Sequence, residues 1–250
     1  MKIKEDGSYK YIETAEGKEV ILILHGLLGA LSNFQGIIDK FKDDYNIVVP
    51  ILPIMEMPLK KVGLKGLVSY IEEFVDHKGY TDINVMGNSL GGHLAQLYTL
   101  ANPDKIKSVI LTGSSGLFEN AMGNSFPKRG NFEFIKKKTQ SVFYDPATAT
   151  DELINDVYET VNDRTKAIRI VVTAKSAVRN NLEDKIHDIK APTLLIWGKQ
   201  DEITPPFVAE KFHELIPNTR LEFIDKCGHA PMMERPQIFN DILYDFLKSI

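Results

Sequence analysis

The chain has 250 residues, 43% apolar and 26% charged, with a net charge of −4 and a pI near 5.9. That length and composition suit one large globular domain, or a domain with an insertion, and supply enough apolar material for a full core. The acidic balance argues against a nucleic-acid partner, which favours a basic face.

In chain order, "YKYIET" (9–14), "VILILHG" (20–26) and "YNIVVPI" (45–51) read as strands. "LKGLVSYIEEFVDHKG" (64–79) spaces its apolar residues three to four apart and stops at Gly79, as a helix does. "INVMGN" (83–88) is a strand, followed by the helical "SLGGHLAQLYTLANP" (89–103), which stops at Pro103. "SVILTGS" (108–114), "TLLIWG" (193–198) and "LEFIDK" (221–226) complete the strands. "PPFVAEKFHELIP" (205–217) and "PQIFNDILYDFLKS" (236–249) are helices opened by proline. Several strands are apolar on both faces, as parallel strands covered on both sides are. The alternation predicts an α/β protein with a mostly parallel central sheet flanked by helices.

Between 116 and 187 the rhythm breaks. "GLFENAMGNSFPKRGNFEF" reads as a loop, whereas "DELINDVYETVND" (151–163) and "RTKAIRIVVTAKSAVRNN" (164–181) read as helices. The expected organisation is a core of residues 1–115 and 188–250 with a helical insertion at 116–187. The N-terminus is too polar for a secretory signal, and "VILILHGLLGAL" falls short of the roughly 20 apolar residues that span a bilayer. A soluble cytoplasmic protein with no membrane partner is expected. Cys227, the only cysteine, cannot form an intramolecular disulfide and reads as a small buried apolar residue.

Gly87-Asn88-Ser89-Leu90-Gly91 matches G-x-S-x-G between a strand and a helix. A serine at the tip of so sharp a turn needs glycines around it, because side chains there would strike the adjoining strand and helix. A serine nucleophile also needs a base, and the base an orienting acid. Asp201 follows one predicted strand and His229 the next, so Ser89, Asp201 and His229 run in the order of an elbow-type triad. His77 and His213 fall within helix patterns, His187 in a polar stretch, and His93 one turn into the elbow helix, where it packs below the site. Glu202 and Asp225 are the alternative acids. An oxyanion hole needs two backbone donors. The N–H groups of Leu90 and of Leu27, in the loop after "VILILHG", are the nominees, with His25 as a buttress.

With "LHGLLG" (24–29), "MGNSLGG" (86–92), "LLIWGKQDEITP" (194–205) and "CGHAPMMERP" (227–236), the chain resembles the α/β-hydrolase superfamily. That resemblance implies the α/β-hydrolase fold, a serine nucleophile and a helical cap over it, and neither metal nor cofactor. "SNF" (32–34), "GNSLGG" and "CGH" are similar to the meta-cleavage-product hydrolases, which break C–C bonds in dienoate ketones. By that likeness Asn33 and Asn88 line the polar end of the pocket, and Lys136 or Lys137 stands in for a cap arginine that binds a carboxylate. The departures are "HGLLGA" in place of a Gly-rich loop, Ala230 in place of a Trp, and lysine in place of a bidentate arginine. They favour a carboxylesterase acting on small to medium esters. A C–C hydrolase is the first alternative, and a slow-turnover ligand receptor that keeps the triad is the second. The cap segment "LFENAMGNSF" suggests a partly apolar acyl pocket. The expected partner is a small-molecule ester or related carbonyl compound, and the protein a monomer or homodimer.

Overall fold

The computed structural model describes residues 2–29, 31–119 and 128–250. Its centre is an eight-stranded sheet. In chain order the strands are β1 (Lys4–Asp6), β2 (Tyr9–Glu13), β3 (Val20–Leu24), β4 (Asn46–Pro50), β5 (Ile83–Asn88), β6 (Ile106–Thr112), β7 (Thr193–Gly198) and β8 (Thr219–Ile224). They lie side by side as β1-β2-β4-β3-β5-β6-β7-β8, with β1 and β2 antiparallel and all pairs from β4 onward parallel.

The all-apolar strands divide their side chains between two cores. Leu22 and Leu24 of β3 point to the face covered by α2 (Leu64–Lys78), α3 (Leu90–Ala101) and α7 (Pro206–Leu215). Ile21 and Ile23 point to the opposite face, packed by α1 (Gln35–Phe41) and α9 (Pro236–Ser249). A continuous apolar run is what a strand with helices on both faces requires, since side chains alternate with period two. Among the described residues no helix is long and apolar enough to cross a membrane.

Between β6 and β7 the chain forms α4 (Phe132–Gln140), α5 (Asp151–Asn162) and α6 (Arg164–Arg179). The Thr150 hydroxyl accepts from the Leu153 N–H to start α5, and the Asp163 carboxylate accepts from the Thr165 and Lys166 N–H groups to start α6. The sequence reading found α5 and α6 but not α4, α1 or β1. Those three are short, and α1 has no side-chain cap. They form because tertiary contacts hold them rather than because their own sequence insists.

A buried acid secures the antiparallel edge. The Glu13 carboxylate, at the end of β2, accepts hydrogen bonds from Lys4 of β1 (3.0 Å), Lys78 at the end of α2 (3.1 Å), Asn46 of β4 (3.3 Å) and the Tyr80 hydroxyl. Burial opposes its ionisation, but the bonds from Tyr80, Lys4, Lys78 and Asn46 outweigh it and hold the Glu13 carboxyl down at about 2. A carboxyl depressed in the folded state contributes stability above its unfolded value. That contribution is lost as pH falls from about 4.5 toward about 2. Glu13→Ala is expected to cost about 2 kcal/mol at neutral pH in urea denaturation, and to remove this part of the acid dependence.

Candidate active site

Ser89 sits between β5 and α3 with φ 55° and ψ −121°. That is left-handed backbone, which a non-glycine residue adopts only when its surroundings demand it. They do. The Ser89 N–H donates to Thr112 O of β6 (3.2 Å), and its C=O accepts from the N–H groups of Gly92 (3.0 Å), His93 (3.2 Å) and Ser115 (3.1 Å). The turn leaves no room for flanking side chains. A Cβ on Gly91 would stand 1.9 Å from Leu24 O, and one on Gly87 2.2 Å from Gly91 O.

The loop after β3 closes against this turn, with a Cβ position on Gly26 3.4 Å from Ser89 Cβ. His25 holds the loop. Its Nε2 accepts from the Leu52 N–H (3.0 Å) and its Nδ1 donates to Gly26 O (2.9 Å). Burial pushes its pKa down, so it stays neutral. Leu90 is the first residue of α3, where backbone N–H groups have no helical acceptor. Among the described residues, neither the Leu90 nor the Leu27 N–H has a hydrogen-bond acceptor.

Asp201 follows β7 and is buried. One carboxylate oxygen accepts from the N–H groups of Ile203 (2.8 Å) and Thr204 (2.9 Å); the other accepts from the Thr204 hydroxyl (2.9 Å) and from His229 Nδ1 (2.9 Å). This turn is itself anchored, because the indole N–H of Trp197, in the core, donates to Thr204 O (2.8 Å). With Nδ1 committed to Asp201, the neutral His229 ring leaves Nε2 as an acceptor. Glu202 and Asp225, the alternative acids, make no hydrogen bond to it among the described residues.

Ser89, His229, Asn88, Asn33, Ala230 and Leu27 all line one cavity of about 460 Å³, roofed by Phe134, Ile135 and Thr139 of α4, Leu153 and Val157 of α5, and Ile170 of α6. The Ser89 hydroxyl has no hydrogen-bond partner among the described residues. Two expectations change in detail. Asn88 reaches the cavity, but its amide N–H groups are committed to Thr112 O (3.0 Å) and His229 O (3.1 Å), so it fastens the serine turn to the histidine loop. Lys136 and Lys137 do not line the cavity; Lys138, one residue further along α4, and Arg129 do. The α4 boundaries decide this, and the sequence reading assigned no helix there, placing Phe132–Phe134 at the end of a loop. Of the segment 117–126, Leu117 and Phe118 pack on the core, Phe118 against Phe207, and the residues from 120 lie outside those described. His93 is buried beneath the serine turn, its Nε2 donating to Asn180 O (2.9 Å), with its pKa lowered to about 4 by burial.

One residue of the site escaped the sequence reading. Glu234, in α8 (Pro231–Glu234), accepts from the Gly228 N–H on one oxygen (2.7 Å), and from the Tyr144 and Asp145 N–H groups on the other (2.8 and 3.2 Å). It ties the histidine loop to the segment between α4 and α5. The His229 N–H, donating to Val142 O (2.8 Å), makes a second tie to the same segment. The signal was in "GHAPMMERP", where Glu234 ends an otherwise apolar run that starts just after the histidine and precedes Arg235 and Pro236.

A family model described as the alpha/beta hydrolase fold matches residues 19–236, from just before β3 to the first residue of α9. The chain belongs to that family. This alpha/beta hydrolase is 40% identical to the enzyme MGS-MChE2 from a metagenome of sediments of the Mar Chica lagoon, Morocco, covering 100% of this chain and 99% of that one with a TM-score of 0.83. It is 26% identical to a 2-hydroxy-6-oxononadienedioate/2-hydroxy-6-oxononatrienedioate hydrolase of Paraburkholderia phymatum, over 95% of this chain and 90% of the relative. It is also 26% identical to monoacylglycerol lipase abhd6-B of Xenopus laevis, over 100% of this chain and 82% of the relative.

Two substitutions test the geometry of this site. Gly91→Ala drives a methyl into Leu24 O and is expected to cost about 3 kcal/mol or prevent folding, seen as loss of the cooperative thermal transition. Glu234→Gln turns one acceptor oxygen into a donor facing backbone N–H groups. Its expected cost is about 1–3 kcal/mol, read as a lower urea midpoint at unchanged slope.

Proposed function

We propose that this alpha/beta hydrolase is a serine carboxylesterase acting on small to medium esters through an acyl-enzyme. The observation that carries the reading is the arrangement of strained Ser89 and Asp201-bound His229 in one cavity. His229 Nε2 takes the Ser89 proton as Oγ attacks the ester carbonyl, and the C–O bond to the alcohol then breaks as His229 returns that proton to the leaving oxygen. Water enters by the same route and releases the acid. Asp201 holds the ring's tautomer and stabilises its cation. The free N–H groups of Leu27 and Leu90 receive the developing oxyanion. Residues 116–187 serve as the cap, and the apolar side chains of α4, α5 and α6 that roof the cavity receive the acyl group.

A second reading, C–C bond hydrolysis, is favoured by a specific observation. Arg129 and Lys138 line the cavity, together with Glu202 and with Asn33, whose amide has no partner among the described residues, and cations in the wall suit a substrate that carries a carboxylate. The dienedioate hydrolase among the relatives adds to that support.

With p-nitrophenyl acetate and butyrate, the wild type is expected to show a burst followed by steady turnover, and Ser89→Ala to show neither. Asp201→Asn is expected to lower kcat on the order of 10⁴-fold. A stoichiometric burst without turnover would instead mark a receptor-like site. Turnover of a dienoate ketone, lost in Arg129→Ala while nitrophenyl esters are untouched, would move the assignment to C–C cleavage.

A further inference from the structure

The helix α6 has two faces with different tasks. Ala167, Ile170, Thr173 and Ala177 are buried, and Ile170 reaches the wall of the Ser89 cavity. On the opposite side, Arg164, Ile168, Val172, Lys175 and Arg179 recur every three or four residues and are exposed, Ile168 by 45% and Val172 by 36%. A core-packed helix ordinarily turns charged or polar residues to water, so two β-branched apolar side chains in that stripe stand out.

The stripe has a neighbour. Arg169 Nε donates to Met57 O (3.0 Å) and the Leu64 N–H donates to Ser176 Oγ (3.1 Å), which lays the 57–64 segment alongside the helix. That segment presents Leu59, 55% exposed, with exposed Lys60 and Lys61, and Lys65 follows. Residues 59–65 and 164–179 together hold eight of the chain's 30 Lys and Arg and none of its 34 Asp and Glu. The nearest acids in sequence lie at the margins. Asp163 caps α6, its Oδ1 accepting from the Thr165 and Lys166 N–H groups, and Glu56 precedes Met57. A protein of net charge −4 has therefore gathered a basic surface, studded with exposed aliphatic side chains, on the helix that roofs its cavity.

We propose that the outward face of α6, with the adjoining 59–65 segment, docks on an anionic lipid bilayer. Cations attract the headgroups and the aliphatic side chains enter the layer beneath them. A polyanion without an apolar layer would match the charges but leave Leu59, Ile168 and Val172 in water. The expectation of no membrane partner rests on the lack of a spanning segment, and docking of this kind needs none. Docked this way, the cavity roof lies against the lipid surface while the sheet stays in water.

The test is co-sedimentation of the full chain with vesicles of phosphatidylcholine, alone or mixed with phosphatidylglycerol. Binding is expected to the anionic vesicles only and to fall as salt shortens the screening length. Lys175→Glu with Arg179→Glu is expected to weaken it at least about tenfold. Ile168→Ser with Val172→Ser is expected to weaken it as well, with an unchanged thermal melt and unchanged turnover of soluble nitrophenyl acetate. Ser89→Ala is expected to bind as the wild type does, so failure of the ester reading leaves this result standing. Absence of binding would overturn the proposal. So would binding indifferent to the Ile168 and Val172 changes, which is adsorption by charge alone. Sedimentation velocity showing a wild-type dimer that these substitutions convert to monomer would overturn it too, by assigning the face to a second copy of the chain.

Discussion

The backbone of Ser89 is the constraint on which the site depends. A serine held at positive φ costs on the order of 1–3 kcal/mol and persists only where neighbouring structure over-determines it. Here one N–H and one C=O bind the residue to β6, to the first turn of α3 and to Ser115. The glycines at 87 and 91 exist because β3 and α3 approach this turn more closely than any Cβ permits. The strand order brings this about. Central β5 pairs with β3 on one side and β6 on the other, so the turn leaving β5 meets both the Gly26 loop and Thr112.

The same economy governs the other residues. Asp201 and His229 follow adjacent parallel strands, β7 and β8, whose C-terminal ends lie on the same edge of the sheet as that of β5. Adjacent strands bring the loops near each other, and further ties fix them: Gln200 N–H to Cys227 O (2.9 Å), and the Cys227 N–H to the Gln200 side chain (3.0 Å). Asn88 then binds the serine turn to His229 O, and Glu234 binds the histidine loop to the chain beyond α4. Ser89, Asp201 and His229 are thus each held through main-chain contacts rather than by rotamer preference alone. This is how a fold brings three residues from distant parts of the chain to one site.

The helices between β6 and β7 play a different part. They share a small cluster of Ile135, Val161 and Ile170, join the main cores through Ile154 and Ala177, and their inner faces make the cavity roof. Two cations of the cavity wall, Arg129 and Lys138, come from this region, whereas Glu202 lines the cavity from the loop after β7. Ser89, Asp201 and His229 follow strands of the sheet, and the helices above it roof the cavity.

Much of the sheet was legible because its strands are buried on both faces. Runs such as "VILIL" and "TLLIWG" admit few other readings when helical patterns alternate with them. The positions of Ser89, Asp201 and His229 were legible for a related reason: each comes in the turn or loop after a strand, and a serine among glycines between a strand and a helix is a steric signature. What the sequence left open was settled by contacts distant along the chain. Neither β1, held by pairing and by Glu13, nor α1 and α4, short and marginal alone, announces itself locally. The displacement of the cavity lysine from 136 or 137 to 138 followed from where α4 begins and which way it turns. Asn88 as a fastener and Glu234 as a tie depend on carbonyls and N–H groups more than 80 residues away. Local pattern thus determined which segments are strands and which residues are the candidates for the site. Only the folded chain decided which of those groups meet, because hydrogen bonds across the chain leave no trace in periodicity.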